Sequence, residues 1–412
     1  MYIPRPLPHG QTRLPLSEHL PPILFGTAVI ALMLVAWAAL APSSISNESS
    51  SMAPPVSASL VRSIAYTIPE GGNDELYVRP INATGAGELI SSFPSRFGLH
   101  ARGTASPTGD RLAVLSTTSI GSTYARLTII QLPAAGAGHP AAATERESLA
   151  TVDYLSSLAW SRDGTRVVAT RTALPDATGR TTIDLLQVDA TSLQNSPLAT
   201  FNNVYGASPV GFSIDGQALF VVVTDQSGSN LWAVRAGHTQ KLAALSPGRT
   251  RDWSLSPDGS RLAYIEILGS GERAYAGRTL VIATGAVIDS DPSTNQLGPT
   301  WEPGSQVPDF GGPGGTVKLA QPSTAPAPAS ALAQANALGQ ASALGQASAL
   351  AQYLVPTSWS PDGSTLAATI YGGDNGLGSP SMATIELMTA GNRVPLATQD
   401  GAQFLGWVQN VN

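Results

Sequence analysis

Short apolar runs separated by polar turns recur along most of the chain, and one arrangement is rewritten five times. It reads "TASPTGDRLAVL" from Thr104, "AWSRDGTRVVAT" from Ala159, "GFSIDGQALFVVV" from Gly211, "SLSPDGSRLAYIE" from Ser254 and "SWSPDGSTLAATI" from Ser358. In Ser-Pro-Asp-Gly the proline presets φ for the first bend, the aspartate hydrogen-bonds the local backbone, and the glycine accepts φ above zero. Each stretch therefore predicts two antiparallel strands joined tightly. The third residue after each glycine is apolar (Leu112, Val167, Leu219, Leu262, Leu366). Four residues before the glycines stand Ala105, Trp160, Phe212, Leu255 and Trp359, apolar side chains of varied size suited to packing between neighbouring sheets. Brief continuous apolar runs are what strands buried on both faces look like.

Behind each hairpin come more strand candidates: "TIDLLQVDA" from Thr182, "NLWAVRA" from Asn230, "TLVIATG" from Thr279 and "TIELMTA" from Thr384, followed by short final segments such as "PLATF" at 197–201. A hairpin plus two strands makes a four-stranded sheet with two apolar faces, which would not survive alone. Sheets stacked radially around an axis solve that burial problem. The turn glycines Gly109, Gly164, Gly216, Gly259 and Gly363, with Gly304 in "TWEPGS" as a degraded sixth, are spaced by 43 to 59 residues. Those periods fall in or slightly above the ~40–50 residues of propeller blades.

Both ends of the repeat region support closure of a ring. "IAYTIPEGGNDELYVRPINATG", 64–85, has the pattern of the second and third strands of a blade whose first strand is missing. "FLGWVQN", 404–410, has that of an orphan first strand, with Trp407 at the aromatic position. Joined, they complete one blade from two distant segments. The fold class expected is all-β, a β-propeller of four-stranded blades. Counting "TWEPGS" as a blade gives seven, the favoured number, and counting it as part of an insertion gives six.

The pattern at Trp160, Phe212, Ser256 to Tyr264 and Trp359 to Ala368 resembles the WD-like repeat of TolB-type β-propellers, and "NDELYVRPINATG" resembles the segment that follows it in that family. The resemblance covers roughly residues 60–410. It implies a propeller that acts as a binding platform, since the motif builds blades and carries no chemistry. Departures are Thr108 in place of aspartate, the broken "TWEPGS" and the insertion after it.

From Ile23 to Ala41 runs "ILFGTAVIALMLVAWAALA", 19 residues without a charge. As a helix rising ~1.5 Å per residue it would approach the ~30 Å hydrocarbon thickness of a bilayer. Arg5 and Arg13 precede it and the first basic residue afterwards is Arg62, so the positive-inside bias keeps the N-terminus cytoplasmic. The competing reading is a signal peptide cut near "AWA" at 36–38, giving a secreted chain. The expected organisation is a cytoplasmic tail over 1–22, a transmembrane helix over 23–41, a tether over 42–60 and the propeller over 61–410. A low-complexity insertion over 321–352 interrupts it. That insertion places Leu332, Leu338, Leu344 and Leu350 six residues apart, a spacing that never lines up as one helical stripe. It reads as a solvated loop, with a ligand or partner arm as the alternative.

Composition narrows function mainly by exclusion. Charged residues make up 12% of the chain, the net charge is -6 and the only lysines are Lys241 and Lys318, which removes the electrostatic case for nucleic acid. Cysteine is absent, so neither disulfides nor thiolate metal sites contribute. There is no Gly-x-Ser-x-Gly, and the chain is expected to end at the ring without a hydrolase domain. His9, His19, His100, His139 and His238 are scattered, without metal-ligand spacing. No catalytic, cofactor-binding or metal residue is assigned, and no cofactor is expected.

The aspartates Asp163, Asp215, Asp258 and Asp362 share one offset from their glycines and read as turn residues. Asp153, Asp225, Asp252 and Glu302 lie near strand ends where axial pockets form, with solvation as the plain alternative. Asn47-Glu-Ser49 and Asn82-Ala-Thr84 match glycosylation acceptors. The leading expectation is a non-enzymatic, membrane-anchored binding or scaffold module for a protein, peptide or glycan of the cell envelope. The alternatives are an envelope hydrolase or lactonase with its site in the channel, and a sensor that reports to the cytoplasm through a membrane partner.

Overall fold

The computed structural model describes residues 61–409 apart from 84, 86, 96–98, 118–123, 134–143, 270–273, 292–294, 314–351, 373–382, 390–391 and 400. The expected spanning helix over 23–41, the tether over 42–60 and nearly all of the 321–352 insertion lie outside these residues. Every regular element among the described residues is a strand, and none of them is a helix long and apolar enough to cross a membrane.

The strands form six sheets, each antiparallel throughout. Blade 1 joins the two distant segments: β1 (Val61–Glu70), β2 (Asn73–Pro80) and β3 (Glu88–Pro94) are completed by β26 (Gln403–Gln409) in the order β26-β1-β2-β3. Blade 2 is β4 (Arg102–Ala105), β5 (Arg111–Ser116), β6 (Tyr124–Gln131) and β7 (Thr144–Asp153). Blade 3 is β8 (Ala159–Trp160), β9 (Arg166–Thr172), β10 (Thr181–Asp189) and β11 (Asn195–Val204). Blade 4 is β12 (Gly206–Phe212), β13 (Leu219–Asp225), β14 (Gly228–Arg235) and β15 (His238–Ser246). Blade 5 is β16 (Thr250–Leu255), β17 (Arg261–Ile267), β18 (Tyr275–Val281) and β19 (Ala286–Asp289). Blade 6 is β22 (Gln352–Trp359), β23 (Leu366–Gly372), β24 (Ala383–Thr389) and β25 (Asn392–Thr398), with the hairpin β20 (Leu297–Thr300) and β21 (Asp309–Pro313) added at its inner edge.

Six is therefore the blade count, the smaller of the two numbers the repeats allow. The reason is local. "TWEPGS" lacks both the serine and the aspartate that four of the other turns carry, and β21 reads "DFGGP", with Phe310 as its only large apolar side chain. Such a strand brings a single large side chain to the core, against Ala263 and Ile265 of blade 5, and the hairpin attaches to β22 through Gly312↔Leu354 and Pro313↔Tyr353. It still acts as a wedge in the ring: Trp301 Nε1 donates to Ser254 O at 3.1 Å, and Trp359 Nε1 donates to Asp309 Oδ2 at 2.9 Å.

Period two explains the continuous apolar runs. In β5, Leu112 and Val114 pack with blade 1 residues while Ala113 and Leu115 pack with blade 3. In β13, Leu219, Val221 and Val223 face blade 3 while Phe220 and Val222 face blade 5. Successive side chains point to opposite faces of a strand, and here each face meets another sheet. Burying a Val, Leu, Ile or Phe side chain contributes roughly 1.5–3 kcal/mol, so the stacked faces supply the core.

Closure follows the same rule. Ile64 pairs with Trp407 across β1 and β26, and Trp407 packs with Ile385 and Leu387 of blade 6 while its Nε1 donates to Ser358 Oγ at 3.2 Å. Gly406 is required there. A Cβ at that position would stand 2.6 Å from Ala105 Cβ, so the closing strand touches blade 2 through bare backbone.

Candidate functional site

Four of the five complete turns share one hydrogen-bond pattern, and the fifth reaches it by substitution. In blade 5, Ser256 Oγ donates to Asp258 Oδ1 at 2.6 Å, Asp258 Oδ1 accepts from Ser260 N at 3.0 Å, and Arg261 N donates to Ser256 Oγ at 2.9 Å. Serines 161, 213 and 360 repeat this with Asp163, Asp215 and Asp362. The turn glycines cluster tightly, at φ 71°, 67°, 66°, 70° and 71° for Gly109, Gly164, Gly216, Gly259 and Gly363. In blade 2, where Thr108 replaces the aspartate, the carboxylate comes from Asp110 instead, which accepts from Ser106 Oγ at 3.1 Å and from Thr108 Oγ1.

Hydrogen bonds from Ser256 and from the Ser260 backbone hold the Asp258 carboxyl well below the usual range, and Ser213 does the same for Asp215. At Asp163 and Asp362 burial pushes the carboxyl up, but hydrogen bonds from Ser161, Thr165, Ser360 and Ser364 outweigh it and the net shift is downward. The turn aspartates are thus kept ionised for structural work.

The turns are also tied to each other. Gln409 Nε2 donates to Thr108 O at 2.8 Å, linking blade 1 to blade 2, and Arg111 Nη1 donates to Gly164 O at 2.9 Å, linking blade 2 to blade 3. Arg162 reaches two blades at once, with Nε on Ser213 O at 3.1 Å and Nη2 on Pro257 O at 2.9 Å. Burial lowers the pKa of its guanidinium, and the Asp258 carboxylate opposes that shift.

The four carboxylates considered for the channel do not converge. Asp153 accepts from Thr172 N at 2.9 Å, Thr170 Oγ1 at 2.8 Å and Thr172 Oγ1 at 2.6 Å, fastening blade 2 to blade 3. Asp225 closes the β13–β14 turn by accepting from Ser227 N at 2.7 Å, and Asp252 pairs with Arg251 Nε at 2.9 Å. Glu302 sits half-buried beside the blade 6 turn, and burial raises its pKa. No group of three or more histidine, aspartate or glutamate side chains able to hold a metal occurs among the described residues. Asn82 is exposed in the turn after β2, and Asn47, His9, His19 and His139 lie outside the described residues.

Sequence spacing gave no hint that Asp74, Ser95 and His100 meet. His100 Nδ1 lies 2.9 Å from Asp74 Oδ1 and 3.2 Å from Ser95 Oγ, and Ala101 N donates to Asp74 Oδ2 at 2.6 Å. A nucleophile relay needs serine and aspartate on opposite ring nitrogens. Here both use Nδ1, while Nε2 faces Gly401, where a Cβ would stand 2.4 Å away. The cluster joins β2 to the segment entering blade 2 and to the turn before β26, so it serves closure.

A different environment lies in the cleft between blades 6 and 1. A cavity of about 730 Å³ is walled by Tyr66, Ile68, Tyr77 and Arg79 of blade 1 and by Pro395 and Leu396 of β25, with exposed Glu70 at the rim. Tyr66 and Tyr77 stack with ring centroids 5.8 Å apart and planes at 23°. Tyr77 OH donates to Glu75 Oε2, a hydrogen bond that pushes the phenol up to about 12 with help from burial. Tyr66 OH accepts from Gly87 N at 3.2 Å.

Arg79 is 4% exposed. Its Nη1 donates to Gly85 O at 3.1 Å, while Nε and Nη2 are buried without a hydrogen-bond partner. Desolvation pulls its pKa down. The register shows how unusual the residue is. Arg79 lies opposite Ile64, and the corresponding pairs in blades 2 to 6 are Leu112↔Ile130, Val167↔Val188, Leu219↔Val234, Leu262↔Leu280 and Leu366↔Met388. Five blades place a buried apolar side chain where blade 1 places a guanidinium.

No family model matches the chain, and no curated protein matches it. Solved structures similar to it include TolB from Acinetobacter baumannii (12% identity, TM-score 0.46, over 84% of this chain and 67% of that one). The β-propeller domain of the Trilobed protease from Pyrococcus furiosus is similar at 9% identity and TM-score 0.47, over 82% and 98%. Prolyl oligopeptidase B from Galerina marginata is similar at 14% identity and TM-score 0.46, over 85% of this chain and 52% of that one, so the chain spans about half its length. All are likenesses of propeller fold, the architecture that the six sheets establish by themselves.

Proposed function

We propose that the propeller is a non-enzymatic binding module, held outside the cytoplasm by a membrane-spanning segment over 23–41, that engages a protein, peptide or glycan of the cell envelope. The observation that carries this reading is the contrast in polar satisfaction between the turn end and the seam between blades 6 and 1. Turn carboxylates are consumed by hydrogen bonds that keep them ionised, which suits structure and gives a hydrolase no proton to share. Unused polar capacity is found instead at Arg79, which borders a cavity of ligand-binding size and whose unpaired donors are buried behind its wall.

A hydrolase is the second reading, and one residue favours it: Glu302, whose carboxyl is raised by burial as a general acid requires. The test uses the ring from residue 61 onward, immobilised against native envelope extract, alongside a panel of ester, lactone and peptide substrates. Retention of a discrete partner with no turnover supports the binding module. Turnover that disappears in Glu302→Gln, with nothing retained, reverses the ranking.

A further inference from the structure

We propose that the cavity between blades 6 and 1 is a binding site for a monocarboxylate, with Arg79 as its anchor. This deepens the binding-module reading, and rests on it, by naming the site and the chemical class of the ligand.

Four observations converge. First, Nε and Nη2 lie on one edge of the planar guanidinium and present parallel N–H bonds, the fork that matches the two oxygens of a carboxylate. Nη1, on the other edge, is already taken by Gly85 O. Second, both donors of that fork lack a partner and sit in a residue 4% exposed, so they carry a desolvation cost that an oxyanion would relieve. Third, the position is apolar in all five other blades, so the repeat itself does not call for a cation there. Fourth, Arg79 borders a cavity of mixed lining, aromatic at Tyr66 and Tyr77 and polar at Glu70, Thr398 and Gln399, with room for a small ligand.

Charge selects the ligand further. One guanidinium balances one negative charge, and Glu70 at the rim opposes a second. A monocarboxylate is therefore favoured over a phosphate dianion. Both fork nitrogens are out of reach of water in the empty ring, so entry requires the pocket wall to give slightly, and bound ligand should order that wall. Tyr66 OH, which accepts from Gly87 N, keeps its own proton free to donate.

The experiment uses the full chain, solubilised in detergent, and isothermal titration with four probes: N-acetyl-leucine, its amide, an acetylated tetrapeptide ending in leucine with a free carboxylate, and phenyl phosphate. Expected are binding of both carboxylates, at least tenfold weaker binding of the amide and of phenyl phosphate, and at least tenfold loss for both carboxylates in Arg79→Met. Tighter binding of the tetrapeptide than of acetyl-leucine assigns the site to peptide C-termini, and the reverse order assigns it to small free acids. Thermal melting of Arg79→Met checks that the variant is folded, and Arg171→Met, which removes an exposed arginine of blade 3, provides a second variant that leaves the site in place and should retain carboxylate binding. Equal affinity for acid and amide, unchanged binding in Arg79→Met, or no binding of any probe overturns the proposal. If an envelope partner is retained equally by the unaltered ring and by Arg79→Met, the binding module stands and this site falls.

Discussion

The turn end of the ring and the seam between blades 6 and 1 are built from the same strands yet treat polar groups in opposite ways. At the turn end each serine, aspartate and glycine repeats its role, and where one repeat loses its aspartate at Thr108 a neighbour, Asp110, restores the bond. At the seam, Arg79 occupies a position that is apolar in every other blade and leaves one edge of its guanidinium unpaired. Repetition marks what the ring needs in order to stand. The break at Arg79, unlike the one at Thr108, is left without a compensating partner.

The largest effect that tests this division is removal of 403–412. It strips β26 from blade 1, separates that blade from blade 6 and exposes the core around Ile64 and Tyr66. Loss of a cooperative melting transition is expected. Trp407→Ala alone should destabilise by about 3–5 kcal/mol, as aromatic deletions in packed cores do. Chemical denaturation measures it, and a cost under about 1 kcal/mol, the range of an ordinary surface change, would show that closure by the tail is dispensable.

Moving the exception to another blade is the next test. Ile130→Arg puts a guanidinium at the matching register of blade 2, against Leu112 and the packed interface with blade 1. A buried unpaired charge should cost about 3–5 kcal/mol. If the ring accepts it freely, the position tolerates arginine in general and Arg79 loses its significance.

Acid sharpens the turn end. Asp163, Asp215, Asp258 and Asp362 all have folded-state pKa values below the unfolded value of about 3.9. Their contribution is complete above that value and is lost as pH falls through the lower folded-state values. Melting temperature should stay level from neutral pH to about pH 5 and drop below about pH 4, and Asp258→Asn should reduce the size of that drop. The smallest effect is expected for Thr108→Asp. A second carboxylate beside Asp110 brings repulsion to a turn already complete, so restoring the repeat motif should leave stability unchanged or slightly lower it.

Much of the ring was legible in the sequence because turn chemistry and period two are local. Ser-x-Asp-Gly located the inner hairpins, "FLGWVQN" revealed the closing strand through Trp407, and the aspartates at a constant offset are turn residues as expected. Blade count was less legible, since "TWEPGS" keeps a tryptophan and a turn glycine, one residue closer together than in the other repeats, while "DFGGP" brings only Phe310 as a large side chain to the core, and the difference lies in packing across faces. Arg79 was not legible at all. "LYVR" at 76–79 looks like the end of "LWAVR" at 231–235, which invites matching Arg79 to Arg235, an exposed residue at the end of β14. The true register matches it to Val234, one residue earlier, and a shift of one residue changes which face of the sheet a side chain occupies. Asp74, Ser95 and His100 were hidden for a related reason, because blade closure brings them together and spacing does not.

The most direct test of the central claim is the melting temperature of Arg79→Met against the unaltered ring, both without ligand. Methionine is the residue that blade 6 uses at this register, as Met388. Replacing a buried charge with a fitted apolar side chain is often neutral or stabilising by about 1–4 kcal/mol. The account predicts equal or higher melting for the variant, together with loss of carboxylate binding. A variant that melts clearly lower would make Arg79 part of the ring's own architecture and contradict the claim that it is held there for a ligand.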